Sequence, residues 1–347
     1  MKKKAAGKAK PRIAVTIGDP AGIGPEVVLR AIADEEVRAC SVPIVIGDAH
    51  HLSHQARKLD LVCGLEIFHE NDRLPQRPLA PLLYNVKNLS RNVKMGQEAA
   101  EYGHAAGQYI EAAVRLALTN QVDAIATAPI NKRALQLGGY GYPGHSELLA
   151  YLTKTNDYAM AFVSSSLRVV LLTTHLPLAK ALTYVKKDRI ERTLRLIDRE
   201  LRRWGITRPR IAVAAVNPHG AEGGLFGIEE ASELIPAIEA CNEAPEFNVS
   251  GPFSADTIFL RAARGEFDVV LSCYHDQGMI PVKCLSFGEA VNVTLGLPFI
   301  RTSADHGTAF DIAGKGIADP RSMIEAIKLA AHLTVIGSET ESTTIQR

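Results

Sequence analysis

Short runs of Val, Ile and Leu recur along this 347-residue chain, separated by longer stretches whose apolar residues have helical spacing. That alternation is what βα units require, because parallel strands are buried on both faces and need a crossover helix to join them. It predicts an α/β protein on a mostly parallel sheet. Strands are expected at 13–17, 42–46, 82–86, 123–127, 158–163, 169–173, 211–215 and 269–272. Helices are expected at 24–33, 97–119, 188–204, 228–241, 257–263 and 321–332. The length suggests two lobes. The expected division is a basic tail at 1–11, a first lobe from 12–125 plus 290–340, and a second lobe at 126–289 carrying the metal site and dimer contacts. The segment 71–81, with three prolines, reads as a connecting loop.

The formal charge is +1, but Lys2, Lys3, Lys4, Lys8, Lys10 and Arg12 precede the first apolar run, so the remainder is mildly acidic. No aromatic residue is interleaved with these lysines, which fits a solvated tail better than a nucleic-acid arm. Neither a secretory leader nor an unbroken apolar stretch of about 20 residues is visible, and a soluble cytoplasmic protein without nucleic-acid or membrane partners is expected. Cys40, Cys63, Cys241, Cys273 and Cys284 are odd in number, scattered and never paired as C-x-x-C, which argues against a disulfide framework or a structural zinc knot. Cys273 and Cys284 are expected to be small buried residues.

Three histidines each follow an apolar strand candidate: VVLLTTH ends at His175, IAVAAVNPH at His219 and VVLSCYH at His275. Ligands of open α/β sheets bind beyond the carboxyl ends of strands, where helix N-termini and loops converge. Three neutral imidazoles with an open coordination position suit a divalent ion such as zinc. One such histidine would mean little; three in equivalent places point to a metal site. Asp276 stands beside His275, where a carboxylate can fix the tautomer of a metal-bound ring, and Lys283 follows eight positions on. A surface Asp and a surface Lys in a loop explain these two residues equally well.

Two Gly-rich segments have the composition of ligand loops. VTIGDPAGIGPEVVLRAI runs from a strand into an amphipathic helix, with Gly18, Gly22 and Gly24 allowing close backbone approach. It is not the G-x-G-x-x-G fingerprint, because Pro20 and Pro25 break that spacing. NVTLGLPFIRTSADHGTAFDIAGKGIADP reads as a binding loop in which Arg301 can fork onto a phosphate or carboxylate, while Lys315 and Asp319 fit plain solvation. GHSE puts His145 and Ser146 at a helix start, where they could grip an anion or Ser146 could simply cap. His50 and His54, one turn apart, lack a further ligand and read as a solvated helix face; His69, His104 and His332 are assigned to surface or packing.

TIGDPAGIGPE, APINK, GHSE, TTHLPL, NPHGAEGGLFG, GPFSADT, YHDQGMIPVK and GEAVNVTLGLPFIRTSADHGTA occur in that order between Ile13 and His332. In these motifs the chain resembles the 4-hydroxythreonine-4-phosphate dehydrogenase family of pyridoxal phosphate biosynthesis. The resemblance implies a two-lobed isocitrate/isopropylmalate dehydrogenase-like fold and a homodimer, with the active site in the interlobe cleft at the dimer interface. It implies metal ligation by His175, His219 and His275, one of them from the partner subunit, and substrate contacts from His145, Ser146, Lys283, Asn292 and Arg301. Loops 18–26 and 306–316 would meet NAD or NADP, through Gly18, Asp19, Gly24, His306, Gly307 and Ala313. Ser146 stands where threonine is usual, keeping the hydroxyl.

The implied reaction oxidises the C3 hydroxyl of 4-phosphooxy-L-threonine with a divalent ion (Zn, Mg or Co) and NAD(P), and the resulting β-keto acid decarboxylates. Lys283 is assigned proton transfer, with Asp256 and Asp276 as electrostatic support. The same family includes relatives acting on erythronate or threonate phosphates and on aromatic cis-dihydrodiols. A metal or phosphate-ligand binding protein without chemistry and an RNA-associated protein using the basic tail are the readings from other classes.

Overall fold

A computed structural model of the chain describes residues 9–61, 64–69, 72, 74–75, 81–90, 92–286 and 288–345, the last six as backbone alone. Residues 1–8, Cys63 and most of the 71–81 connection therefore lie outside the described residues. The chain forms two compact units, Met1–His145 with His306–Val335 and Ser146–Asp305 with Ile336–Arg347.

The first unit runs through β1 (Arg12–Thr16), α1 (Gly24–Ala33), α2 (Glu35–Cys40), β2 (Val42–Gly47), α3 (Ala49–Lys58), β3 (Glu66–Phe68), β4 (Leu82–Asn85), α4 (Ala100–Leu118), β5 (Ala124–Thr127) and α5 (Lys132–Leu137). Its strands lie in the order β3-β4-β2-β1-β5, every pair parallel. Side-chain caps set several helix starts: Asp34 accepts from Glu36 N and Val37 N, Asp48 from His51 N, and Asn131 from Ala134 N. The last tail residues belong to the fold and not to a tail, since Lys10 Nζ donates to Arg38 O at 2.6 Å and Pro11 O accepts from Val42 N at 2.8 Å.

The second unit contains α6 (His145–Thr153, starting on the last residue of the first unit), β6 (Ala159–Val163), β7 (Arg168–Leu171), α7 (Leu178–Thr183), α8 (Lys187–Arg203), β8 (Ile211–Ala214), α9 (Ile235–Asn242), β9 (Val249–Phe253), α10 (Ala255–Ala263), β10 (Val269–Ser272), α11 (His275–Ser286), β11 (Val291–Leu295) and β12 (Ile300–Ser303). Helix α12 (Arg321–Ile345) closes the chain. Strand order is β12-β11-β6-β7-β10-β8-β9; β7, β10, β8 and β9 pair in parallel, and β6, β11 and β12 are antiparallel to their neighbours. Helix α8 buries Ile190, Leu194, Ile197 and Leu201, a stripe at helical spacing, and its two buried carboxylates, Asp198 and Glu200, are paired with Arg202 and Arg203. The core beneath the sheet joins Val169, Leu171, Ala212, Ala214, Ile258, Val270 and Val282.

The α/β class and the eight expected strands hold, with boundaries moved by one or two residues. Four strands were not foreseen. β3 is a three-residue edge, β9 contains Gly251 and Pro252, and β11 and β12 lie in the stretch read as one long binding loop. There VNVTL alternates with period two and pairs with β6, so residues 291–303 build the second unit, not the first lobe to which the sequence reading gave them. Among the described residues no helix is long and apolar enough to cross a membrane. Cys241 and Cys273 are buried and Cys40 is half-buried, but Cys284 is exposed, against expectation, because α11 turns it outward.

Candidate functional site

The three expected metal ligands follow β7, β8 and β10, which are immediate neighbours with β10 in the middle. Two hydrogen bonds brace these strand ends. Thr173, fully buried, donates its hydroxyl to Cys273 O at 2.8 Å, tying the segment before His175 to the segment before His275. Buried Gln277 accepts from Cys273 N at 2.7 Å and donates to Ala215 O at 2.7 Å, tying His275 to the strand that leads to His219. Neither brace was foreseen, although TTH and CYHDQ place both residues within two positions of a proposed ligand.

The rings of His175 and His275 stand 5.3 Å apart, centroid to centroid, beside a pocket of about 220 Å³ lined also by Thr174, Leu176, Leu178, Ala181, Tyr274 and Asp276. Asp276 Oδ1 lies 2.7 Å from His275 Nδ1, the geometry that leaves Nε2 free to face an ion. Asp276 and Lys283 thus sit on a helix, α11, and not in a loop. His219 stands apart, its ring 6.4 Å from that of Phe226, at the start of a tight left-handed turn. Among the described residues no three His, Cys, Asp or Glu side chains of the chain converge closely enough to hold an ion. The donor set within one chain is therefore two imidazoles, which suits a divalent ion only if a further donor arrives from outside.

A second cluster in the same unit joins two of the expected substrate residues, Arg301 and Ser146, through Thr294. The antiparallel register of β11 and β12 pairs Asn292 with Ser303 and Val293 with Thr302, which sets Thr294 opposite Arg301. Arg301 Nη1 donates to Thr294 Oγ1 at 2.9 Å, and Ser146 Oγ lies 3.3 Å from that same hydroxyl. Arg301 is only 2% exposed, and burial pushes its guanidinium down to about 9 against the opposing field of Glu147. A desolvated cation of this kind is what an anionic group would stabilise. Asn292 Oδ1 is buried without a hydrogen-bond partner among the described residues. Lys283 Nζ is ion-paired with Asp305, a partner that sequence reasoning missed. His145 opens α6, one residue before Ser146. Asp256 lies on α10, exposed, accepting from Ser254 Oγ at 2.7 Å; among the described residues no hydrogen bond or ion pair joins it to either cluster.

In the first unit, the two expected cofactor loops meet. Ile23 N donates to Thr308 O at 3.0 Å, and a Cβ on Gly22 would lie 3.0 Å from Thr308 Cβ. A Cβ on Gly24 would lie 2.0 Å from Ile17 O, so only glycine lets α1 start against the strand end. Gly18 has φ +67°, and a Cβ there would strike Pro129 O at 2.2 Å. Buried Glu26 accepts from Gly316 N at 3.2 Å and Ala318 N at 3.0 Å, while Arg30 Nη2 donates to Gly316 O at 2.8 Å, so α1 clamps the 306–318 segment. Asp19 is fully buried and accepts from Ala21 N at 2.9 Å; burial raises its carboxyl to about 6. His51 Nε2 lies 2.9 Å from Pro20 O, and burial lowers that imidazole to about 4, which keeps it neutral. The sequence reading noticed its neighbours His50 and His54, which are indeed exposed, and passed over the buried ring. His306 Nε2 is buried without a partner among the described residues, Gly307 is exposed and Ala313 is buried. Close packing of the chain on itself is what requires glycine at positions 18, 22 and 24.

Residues 39–330 match the family described as pyridoxal phosphate biosynthetic protein PdxA. The chain is similar to D-threonate 4-phosphate dehydrogenase of Cupriavidus necator, at 45% identity over 93% of this chain and 97% of that one. It is similar to 4-hydroxythreonine-4-phosphate dehydrogenase of Desulfosudis oleivorans, at 43% identity over 92% and 95%. Among solved structures, 4-hydroxythreonine-4-phosphate dehydrogenase of Klebsiella pneumoniae superposes with a TM-score of 0.86 at 43% identity, covering 95% of this chain and 99% of that one.

Proposed function

Because the chain belongs to the PdxA family, whose similar members are named dehydrogenases, we propose that it oxidises a secondary hydroxyl of a four-carbon acid 4-phosphate with a nicotinamide cofactor and a divalent ion. Our first reading of the substrate is 4-phosphooxy-L-threonine, oxidised at C3 to 2-amino-3-oxo-4-phosphooxybutanoate, a β-keto acid that loses carbon dioxide to give 3-amino-2-oxopropyl phosphate. The observation that carries the proposal is the His175–His275 pair beside Asp276, at the ends of neighbouring parallel strands.

His175 and His275 would hold the ion, with His219 of a second copy completing the set in a homodimer; imidazoles suit Zn and Co better than Mg, which prefers oxygen donors. Bound there, a divalent ion supplies Lewis acidity at the C3 oxygen, and NAD or NADP supplies the hydride acceptor. The chain's own residues do the rest. Arg301, Asn292, His145 and Ser146 clamp the anionic ends and orient C3. Lys283, held by Asp305, carries the hydroxyl proton, and Asp276 contributes negative charge beside His275; Asp256, exposed on α10 and bonded to Ser254, has no role in this arrangement. Gly18, Asp19, Gly24, His306, Gly307 and Ala313 shape the cofactor loops of the first unit.

D-threonate 4-phosphate is the second reading, favoured by the names of several similar relatives. The two substrates differ at C2, amine against hydroxyl. A panel of both, with erythronate 4-phosphate and a cis-dihydrodiol, assayed with NAD and NADP for absorbance of the reduced cofactor, separates them. Absence of reduction with every member would favour a binding protein and overturn the proposal.

A further inference from the structure

We propose that Glu230 is a positioning residue that sets the backbone from which His219 projects, an inference that rests on the reading of His219 as a metal ligand. Strand β8 ends at Ala214, and the chain must turn within five residues to present His219. Glu230, only 3% exposed, takes up the donors at that turn. Its Oε1 accepts from Val216 N at 2.8 Å and from Asn217 N at 2.7 Å, and its Oε2 accepts from Asn217 Nδ2 at 2.8 Å. The same amide nitrogen donates its other proton to Glu229 Oε2 at 2.7 Å, so Asn217 bridges two consecutive carboxylates.

Two features make this clamp specific to the turn. The backbone immediately beyond it is strained: His219, Ala221 and Glu222 all have positive φ (53°, 67° and 40°), and Gly220 and Gly223 continue the run. Left-handed conformations at residues with a Cβ persist only where the surroundings impose them. Pro218 and the two residues held by Glu230 are what precede the run. The second feature is that Glu230 opens a π-helical turn, Glu230–Leu234, in which Ile235 N donates to Glu230 O five residues back. Such turns are uncommon and favour functional sites, because one extra residue re-aims the side chains at its start. Here Glu229 and Glu230 both reach the single amide of Asn217. Gly227 completes the fit: a Cβ there would lie 2.3 Å from Asn217 Nδ2.

Glutamine cannot replace Glu230 without loss. One oxygen could still accept from the two backbone N–H groups, but the new NH₂ would face the NH₂ of Asn217. Flipping Asn217 to cure that would break its bond to Glu229. The turn would then sample other conformations, and the imidazole would lose its fixed origin.

The test compares Glu230→Gln and His219→Ala with the parent in the intact protein freed of metal. Zn²⁺ affinity is measured by calorimetry, and amide exchange by mass spectrometry across 214–228. Glu230→Gln is expected to weaken Zn²⁺ binding about 10- to 100-fold, the range typical of groups that orient metal ligands, and to speed exchange at Val216 and Asn217 while β8 stays protected. Glu229→Ala, at a partly exposed carboxylate, removes one acceptor of the same amide and should show a smaller loss of the same kind even if Glu230→Gln folds poorly. Parental affinity in both glutamate variants beside a weakened His219→Ala overturns the inference and leaves the ligand reading intact. Parental affinity in His219→Ala overturns the ligand reading, and the inference with it.

Discussion

Gln277 donates to the carbonyl of Ala215, 62 residues earlier in the chain and 2.7 Å away, and so fastens the first turn of α11 to the end of β8. Its oxygen simultaneously accepts from Cys273 N, which makes one buried amide the joint between two strand ends that each lead to a proposed ligand. Replacing it by Leu keeps the volume but strands a backbone N–H and a carbonyl away from water. Gln277→Leu is predicted to destabilise the protein by about 2 kcal/mol and to weaken divalent-ion binding at least several-fold. Urea unfolding together with metal titration checks this; unchanged values in both would show that the joint has no such role.

Gly22 faces Thr308 so closely that a methyl group would press the two first-unit loops apart. The glycine has no positive φ, so the substitution Gly22→Ala adds bulk without backbone strain. The predicted result is a KM for the nicotinamide cofactor raised about tenfold, equivalent to about 1.4 kcal/mol, with KM for the phosphorylated substrate little changed. Equal shifts in both constants would refute the assignment of this loop to the cofactor.

Asp19 titrates near 6 in the folded chain and near 3.8 when unfolded, because burial disfavours its charged form. As pH rises, the unfolded state loses its proton first, so between these values the folded state holds more protons and stability falls. Above pH 6 the full penalty, up to about 3 kcal/mol, is present; below about pH 4 it vanishes. Asp19→Asn retains an acceptor for Ala21 N–H without the charge. Relative to the parent, the variant should therefore gain about 3 kcal/mol between pH 4 and pH 7.5. Denaturant curves at the two pH values measure it, and a pH-independent difference would exclude Asp19 as the group responsible.

Arg301 presents a planar fork from a strand with almost no solvent exposure, and a lysine there could not reproduce two parallel hydrogen bonds. Arg301→Lys is predicted to raise KM for the phosphorylated substrate at least tenfold, with a smaller effect on kcat. Steady-state kinetics decide the matter: a fall in kcat alone, with KM kept, would mean that Arg301 does not hold the substrate's anionic group.

The periodicity of apolar residues was enough to establish the α/β class, because burial on both faces of a parallel strand demands continuous Val, Ile and Leu, and β1, β2, β5, β7, β8 and β10 are such runs. It also sufficed to mark His175, His219 and His275, since a strand followed by a histidine is a local pattern. Strands β11 and β12 escaped because buried Arg301 and the polar positions Asn292 and Thr294 break the apolar signal, and their stability comes from pairing with β6 and with each other. Only the tertiary structure could bring β7, β10 and β8 side by side and set Gln277 against Ala215, Glu230 against Asn217 and Asp305 against Lys283. Such contacts join residues between 13 and 62 positions apart, where side-chain geometry and not sequence spacing determines which donor meets which acceptor.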